Sequence, residues 1–334
     1  MADMSSSPAI LIAGGAGYIG SHTAKVLSKA GMKSIVLDNL CTGNRDVVRF
    51  GPFYEGSIAG SELLRQIITR HEVVGAILFA GHAYVGESTG NPRKYFQNNV
   101  SDAIRFLDTI IDSGLRQVVF SSSCSVYGIQ EHQPISEDSP TNPLSPYAET
   151  KLFLEKVLRW YGSAYGLRYV CLRYFNAAGA DPEGELGEHH DPETHLIPLA
   201  IEAALAGTPM QVFGTDYPTP DGTPVRDYTH VTDLAHGHLS ALRYLAGGGE
   251  SQILNLGTGT GHSVRRVIQA LELEAGVAVS VNYAPRREGD APVLVANPAR
   301  ARNVLSWLPQ FSALETIVYT ACRWHKELGK RSAD

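Results

Sequence analysis

Residues 9–20 read Ala9-Ile10-Leu11-Ile12-Ala13-Gly14-Gly15-Ala16-Gly17-Tyr18-Ile19-Gly20, and they decide how the rest of the chain is read. A short, unbroken apolar run ends abruptly in glycines, and an amphipathic stretch follows at once. The run Ile10–Ala13 predicts a strand covered on both faces, and Ser21–Ala30 predicts a helix. Glycines at 14, 17 and 20 permit a tight turn, close approach of a pyrophosphate, and close packing of helix on sheet. The helix start then offers free N–H groups and a positive dipole end to that anion. Glycines alone are weak evidence. Their place between a strand and a helix near the chain start gives them weight.

Working outward, a second apolar run, Ser34–Leu37, ends at Asp38-Asn39. Asp38 lies eighteen residues after Gly20, where an acid binds the hydroxyls of an adenosine ribose. The same carboxylate repels a 2′-phosphate, so NAD is expected over NADP. Further buried-strand runs follow at Ala76–Phe79, Gln117–Phe120 and Arg168–Leu172. Helical patterns at Ser61–His71, Tyr95–Ser113 and Ser145–Tyr165 alternate with them. This alternation predicts an α/β fold with a Rossmann-type, doubly wound parallel sheet. After about Asn176 the texture turns loop-rich, with helices expected near Leu196–Leu205 and Ser263–Ala275. Residues 1–175 are therefore expected to form a cofactor domain, and residues 176–334 a smaller mixed α/β substrate domain. Some later segments are expected to return to the first.

Tyr147 and Lys151 stand four apart at the start of a predicted helix, on one face. A phenol with an unperturbed pKa of roughly 10 is a poor base at neutral pH. A neighbouring ammonium and a positive nicotinamide both favour its phenolate. Tyr147 is thus a candidate base and Lys151 its electrostatic tuner. The run Ser121-Ser122-Ser123 follows the fourth apolar strand, at the strand end where doubly wound sheets bind ligands. Ser123 can there share a hydrogen bond with a reacting hydroxyl.

Composition narrows the field. The chain has 334 residues, 43% hydrophobic, with a net charge of −6, which gives no reason to expect nucleic acid or an anionic membrane as partner. Cys41, Cys124, Cys171 and Cys322 are scattered, without a CxxC pair, as reduced thiols are. The stretch Met1–Ser7 has no basic residue, and the apolar run after it is too short for a signal core or a membrane span. A cytoplasmic protein is expected. His189, His190 and His195 stand near Asp191 and Glu193, but their spacing fits no helical zinc pattern. No metal is expected there, only a solvated or substrate-facing loop.

The chain resembles the extended short-chain dehydrogenase/reductase family and, within it, the UDP-glucose 4-epimerases. The resemblance is carried by Gly14–His22 (GGAGYIGSH), Leu37–Leu40 (LDNL), Val85–Ser88 (VGES), Ser121–Gly128 (SSSCSVYG) and Ser145–Lys151 (SPYAETK). In the second half it is carried by Leu172–Asn176 (LRYFN), Asp221–Val231 (DGTPVRDYTHV), Asn255–Gly259 (NLGTG) and Pro285–Asp290 (PRREGD). It implies bound NAD and 4-epimerisation of UDP-glucose and UDP-galactose through a transient 4-keto sugar. Ser123, Tyr147 and Lys151 would carry the proton chemistry. Cofactor contacts would come from the turn (Gly14, Gly17, Tyr18, Ile19, Gly20) and from Asp38 and Asn39. Ser57, Ile58, Phe79, Ala80, Gly81 and Asn98 would follow, then Ser121, Ser122 and Tyr174. The UDP-sugar would meet Asn176, His195, Leu196, Phe213, Arg226, Arg287, Asp290 and Leu294. A homodimer through Asn91–Ser113 and Ser145–Tyr165 is also implied, and Phe153, Val157 and Tyr161 form an apolar stripe there.

Three positions depart from the family pattern. A usual Gly-Asp-Ile reads Gly56-Ser57-Ile58, and Ala83 replaces a lysine found in some members, so looser NAD retention is expected. Leu294 stands where some members have a bulky Tyr, leaving room for an N-acetyl group and hence for UDP-N-acetylglucosamine. A sugar-nucleotide 4,6-dehydratase needs an Asp-Glu pair where this chain has Cys124 and Ser125. A UDP-xylose/UDP-arabinose 4-epimerase shares the C4 chemistry and stays open. A non-catalytic NAD-sensing protein would have no need of Ser123, Tyr147 and Lys151 together.

Overall fold

The structure, a computed structural model, describes residues 8–287 and 289–331. Residues 1–7, read above for targeting, lie outside the described residues. Thirteen strands are described: β1 (Ala9–Ala13), β2 (Lys33–Asp38), β3 (Phe53–Glu55), β4 (Val73–Leu78), β5 (Gln117–Ser123), β6 (Arg168–Tyr174), β7 (Asn176–Ala178), β8 (Met210–Phe213), β9 (Val225–His230), β10 (Gln252–Leu256), β11 (Gly261–Ser263), β12 (Val281–Ala284) and β13 (Val293–Leu294). The chain divides into two compact units, one of residues 1–123, 145–172 and 235–254, the other of residues 124–144, 173–234 and 255–334.

The first unit is built on a seven-stranded sheet of order β10-β6-β5-β4-β1-β2-β3. The pairings β1–β2, β1–β4, β2–β3 and β4–β5 are parallel, the last through Ala76–Leu78 against Val118–Phe120. All five residues of β1 are buried, as a strand covered by helices on both faces requires. The core joins Leu11, Ile35, Leu37 and Leu78 of the sheet to Leu64 and Ile67 of helix Ser61–His71 and Phe106 and Ile110 of helix Ala103–Asp112. The chain builds β2 and β3 on one side of β1, then crosses over to lay β4 on the other. That reversal is the switch point at which doubly wound sheets open a ligand crevice.

The second unit is centred on β9, which pairs antiparallel with β11 and parallel with β13 and β7. A separate parallel pair joins β8 to β12. Helices Leu196–Ala206, Val264–Ala275 and Leu314–Arg331 share a core with these strands, including Ile197, Ile201, Val212, Tyr228, Leu271 and Ile317. Among the described residues no helix is long and apolar enough to cross a membrane.

The expected long helix Tyr95–Ser113 is divided. Pro92–Tyr95 and Ala103–Asp112 are α-helical, and Phe96–Asp102 between them is a π-helix. Its wider turns shift which residues face inward, and such insertions gather at functional sites. The serine run is also placed differently: Ser121–Ser123 complete β5 rather than follow it.

The second unit's buried polar anchor is Asp233, only 1% exposed. Its carboxylate accepts hydrogen bonds from Gln310 N (2.8 Å), Phe311 N (2.8 Å) and Ser312 Oγ (2.6 Å). Removing it leaves three donors without their acceptor. Asp233→Ala is expected to lower unfolding free energy by about 3 kcal/mol or more, read as a lower urea midpoint. Asp233→Asn, which keeps an acceptor oxygen, should lose less.

Candidate active site

In the first unit the glycine turn is defined by backbone-to-backbone approach. Gly14 has φ +86°, and a Cβ there would lie 2.5 Å from Ala80 N. A Cβ on Gly20 would lie 2.3 Å from Gly14 O. These two positions are closed by the protein itself. Gly17 differs, because its Cβ would meet only Gly14 O, at an ordinary 3.5 Å. Protein packing therefore gives no reason for glycine at 17, whereas the approach of a diphosphate to the helix start does. Helix Tyr18–Lys29 begins there with no side-chain cap and no acidic residue in its first turn. This cradle fits a dinucleotide pyrophosphate.

Asp38 is the last residue of β2 and is 8% exposed. Its Oδ2 accepts from Ala16 N (2.9 Å) and its Oδ1 from Leu40 N (2.8 Å). Burial pushes its carboxyl up, and the hydrogen bonds from Leu40, Ala16 and Asn39 oppose that. Asp38 thus braces the glycine turn besides standing at a strand end. Ile58 is buried, but Ser57 is exposed, and its Oγ accepts a hydrogen bond from Ala59 N.

After β4 the chain turns with Phe79 N and Ala80 N both donating to Ala13 O, at 2.8 and 2.9 Å. The following residues are held by an amide the sequence reading missed. Asn98, expected at the cofactor, is half-buried; its neighbour Asn99 is 3% exposed and holds the loop. Its Oδ1 accepts from His82 N (2.8 Å), and its Nδ2 donates to His82 O (2.9 Å) and Thr150 Oγ1 (3.2 Å). Thr150 Oγ1 in turn donates to Tyr147 O (2.7 Å). No sequence period marks Asn99, because the π-helix resets the phase.

Helix Pro146–Tyr165 starts on Ser145, whose Oγ accepts from Ala148 N, with Pro146 in its first turn. These signals place Tyr147 and Lys151 one turn apart at the helix start. Tyr147 is half-buried and Lys151 5% exposed. Lys151 Nζ donates to Ser121 O at 2.7 Å and sits 5.7 Å from the Tyr147 ring centre. Burial pulls its ammonium down to about 8, and the Glu155 carboxylate works against that fall. Glu155 is itself 3% exposed and accepts from Ser122 Oγ at 2.6 Å. So β5 supports the pair directly: Ser121 through its carbonyl, Ser122 through Glu155, with Ser123 half-buried at the strand's last position. Glu155 went unnoticed in the sequence because a helix carboxylate is ordinarily a surface group.

In the second unit, Arg226 lies on β9 and donates through Nη1 to Val225 O (2.9 Å) and Ala291 O (2.8 Å). Its Nη2 is 3.5 Å from Asp290 Oδ1. Leu294 pairs in register with Arg226. The Arg287 guanidinium stacks over Phe213, 3.9 Å from the ring centre, and Arg287 O accepts from Asp290 N. Phe213, Arg226, Arg287, Asp290 and Leu294 therefore form one connected group with two cations and an aromatic face. Asn176 is half-buried on β7, opposite Tyr228 of β9, and Tyr174 is 6% exposed. His195 and Leu196 begin helix Leu196–Ala206, and His195 Nδ1 turns to Glu188 instead of to the arginine group. Cys124, at a position where a dehydratase needs an acid, is 8% exposed with its thiol pushed up to about 12 by burial. It offers no acid or base at neutral pH.

The family model for the NAD dependent epimerase/dehydratase family matches residues 10–257. The chain is 46% identical over 320 residues to a UDP-glucose 4-epimerase of Halalkalibacterium halodurans, covering 96% of each chain. It is 47% identical to one of Rhizobium meliloti, covering 95% of this chain and 96% of the relative. Among solved structures it is similar to UDP-glucose 4-epimerase from Brucella ovis in complex with NAD. That match has a TM-score of 0.93 and 48% identity, over 95% of this chain and 98% of the other. The enzyme from Stenotrophomonas maltophila, with bound NAD and formylated UDP-arabinopyranose, superposes with a TM-score of 0.94 at 37% identity, over 97% and 99% of the two chains. The glycine cradle, the Tyr147–Lys151 pair and these full-length similarities converge: the chain belongs to the NAD dependent epimerase/dehydratase family.

Proposed function

We propose that this protein interconverts UDP-glucose and UDP-galactose by epimerisation at sugar C4, with NAD as its cofactor. The observation that carries the reading is the buried Lys151 ammonium beside the Tyr147 ring, held by Ser121 and backed by Glu155. At pH 7 the charged form of a group near 8 predominates, and a cation there favours the phenolate. Tyr147 takes the proton from the sugar 4-hydroxyl and later returns it, with Ser123 bridging the hydroxyl. When bound, NAD supplies a hydride acceptor and donor for C4. The turn of Gly14–Gly20, Asp38 and Lys151 would hold it. The resulting 4-keto sugar is re-presented by its other face, so the UDP moiety must be anchored while the sugar turns. Arg226 and Arg287 suit that task, because guanidinium forks pair with phosphate oxygens. Phe213, Asp290, Asn176, Leu196 and His195 complete the proposed nucleotide-sugar contacts.

A second substrate is favoured by Leu294, which stands beside Arg226 with a side chain smaller than tyrosine. UDP-N-acetylglucosamine is proposed as that substrate. Cytoplasmic residence is supported by four free cysteines, three of them buried. A homodimer is supported by Phe153 and Trp160, 46% and 66% exposed on helix Pro146–Tyr165. Val157 and Tyr161 of the expected stripe pack on the first unit's own core.

The test is to add UDP-galactose to purified protein without NAD and follow anomeric NMR signals. UDP-glucose should appear; no conversion even with added NAD defeats the proposal. Tyr147→Phe should cut turnover roughly a hundred- to ten-thousand-fold while the fold persists. Repeated dialysis should strip NAD more readily than from a Ser57→Asp variant, monitored by released cofactor absorbance. Leu294→Tyr should depress turnover of UDP-N-acetylglucosamine far more than that of UDP-galactose; equal effects on both would remove the wall argument.

A further inference from the structure

The loop before helix Leu196–Ala206 holds a cluster of titratable side chains, of which only His195 is among the proposed nucleotide-sugar contacts. The sequence reading weighed His189 and Asp191 with their neighbours, but both are exposed and stand apart. The chain instead gathers Glu188, His190, Glu193 and His195, whose ligand atoms lie within 4.8 Å of one another. Glu188 and Glu193 have side chains only 4% and 6% exposed. Two carboxylates so deeply buried require two compensating positive charges. Either two imidazolium ions or one dication with neutral imidazoles can supply them.

The ligand atoms are close enough for one ion to reach all four once the direct His195–Glu188 hydrogen bond opens to admit it. His190 Nδ1 is 3.1 Å from Glu188 Oε1 and 3.8 Å from Glu193 Oε2, and His195 Nδ1 is 3.7 Å from Glu193 Oε1. His195 Nδ1 also pairs closely with Glu188 Oε1. A tetrahedral zinc ion with bonds of about 2.0–2.2 Å spaces its ligand atoms about 3.4 Å apart. The position of Glu188 is fixed from behind. Trp324 Nε1 donates to its carbonyl at 2.8 Å, and the Trp324 ring fills the space beside Gly187. Imidazole and carboxylate together suit zinc among the common divalent ions.

We propose that Glu188, His190, Glu193 and His195 form a divalent transition-metal site, most suited to zinc, that cross-links this loop. No step of the epimerisation passes through it. With four protein ligands it is a closed, structural centre. Binding exchanges charge for charge: a dication enters and the imidazolium protons leave, so the buried carboxylates stay neutralised. Ligation requires neutral imidazoles, so protons compete with the metal for the two histidines. Ligation through Nδ1 leaves Nε2 of His195 as a hydrogen-bonding group of fixed orientation.

The test uses the purified holoenzyme, stripped with a chelator, incubated with Zn²⁺ and desalted before elemental analysis. About one zinc per chain is expected, falling roughly tenfold or more in His190→Ala/Glu193→Gln. His189→Ala, outside the cluster, should retain full zinc. Substitution with Co²⁺ in the unaltered protein should give the intense visible bands of a four-coordinate ion, which needs no variant. Zinc absent after desalting, zinc lost equally in His189→Ala, or the weak spectrum of hexa-aqua cobalt would each overturn the site. None of these readouts depends on epimerase activity.

Discussion

The closest constraint in the first unit is the contact of three backbone segments at the sheet's switch point. Gly14, leaving β1, lies against the backbone of Ala80, leaving β4, and Gly20 packs onto Gly14 O. Any side chain at 14 or 20 forces these segments apart. Because the approach is so tight, helix Tyr18–Lys29 follows the strand after only a short glycine turn, with no side-chain cap on its first N–H groups. Asp38 locks the same turn from β2, through Ala16 N. Cofactor geometry is thus a by-product of how three parallel strands terminate.

The same economy holds on β5. Its serines read as a polar strand end, yet each has a separate task set by the alternation of strand faces. Ser121 gives a carbonyl to Lys151, and Ser122 gives a hydroxyl to Glu155. Lys151 is a costly group, an ammonium taken out of water. That cost is offset by the Ser121 carbonyl and the nearby Glu155 carboxylate, leaving a cation that can act on Tyr147.

Much of the first unit was legible because its physics is local. Buried parallel strands announce themselves as short apolar runs, and Ser145-Pro146 marks a helix start within a residue. Three-residue strands such as β3 carry too little pattern to be seen, and β10 joins the sheet from far along the chain. Asn99 carried no periodic signal, since it lies in the π-helix Phe96–Asp102, where a period of 3.6 residues fails. In the second unit, Arg226 was legible as an arginine but its partners were not: Ala291 is 65 residues away. Glu188 was invisible as a partner of His195 because burial, not spacing, distinguishes it from the loop's other acids.

Asn99 has a consequence for how this site comes into being. One side-chain amide holds both main-chain groups of His82 and also reaches Thr150, which caps back onto Tyr147. Asn99 lies 17 residues from His82 and 51 from Thr150, and it bonds to both. Opening of the helix start removes one of the amide's three bonds and so loosens its hold on the loop. Stability of the loop is thereby coupled to that of the helix start, two segments far apart in sequence.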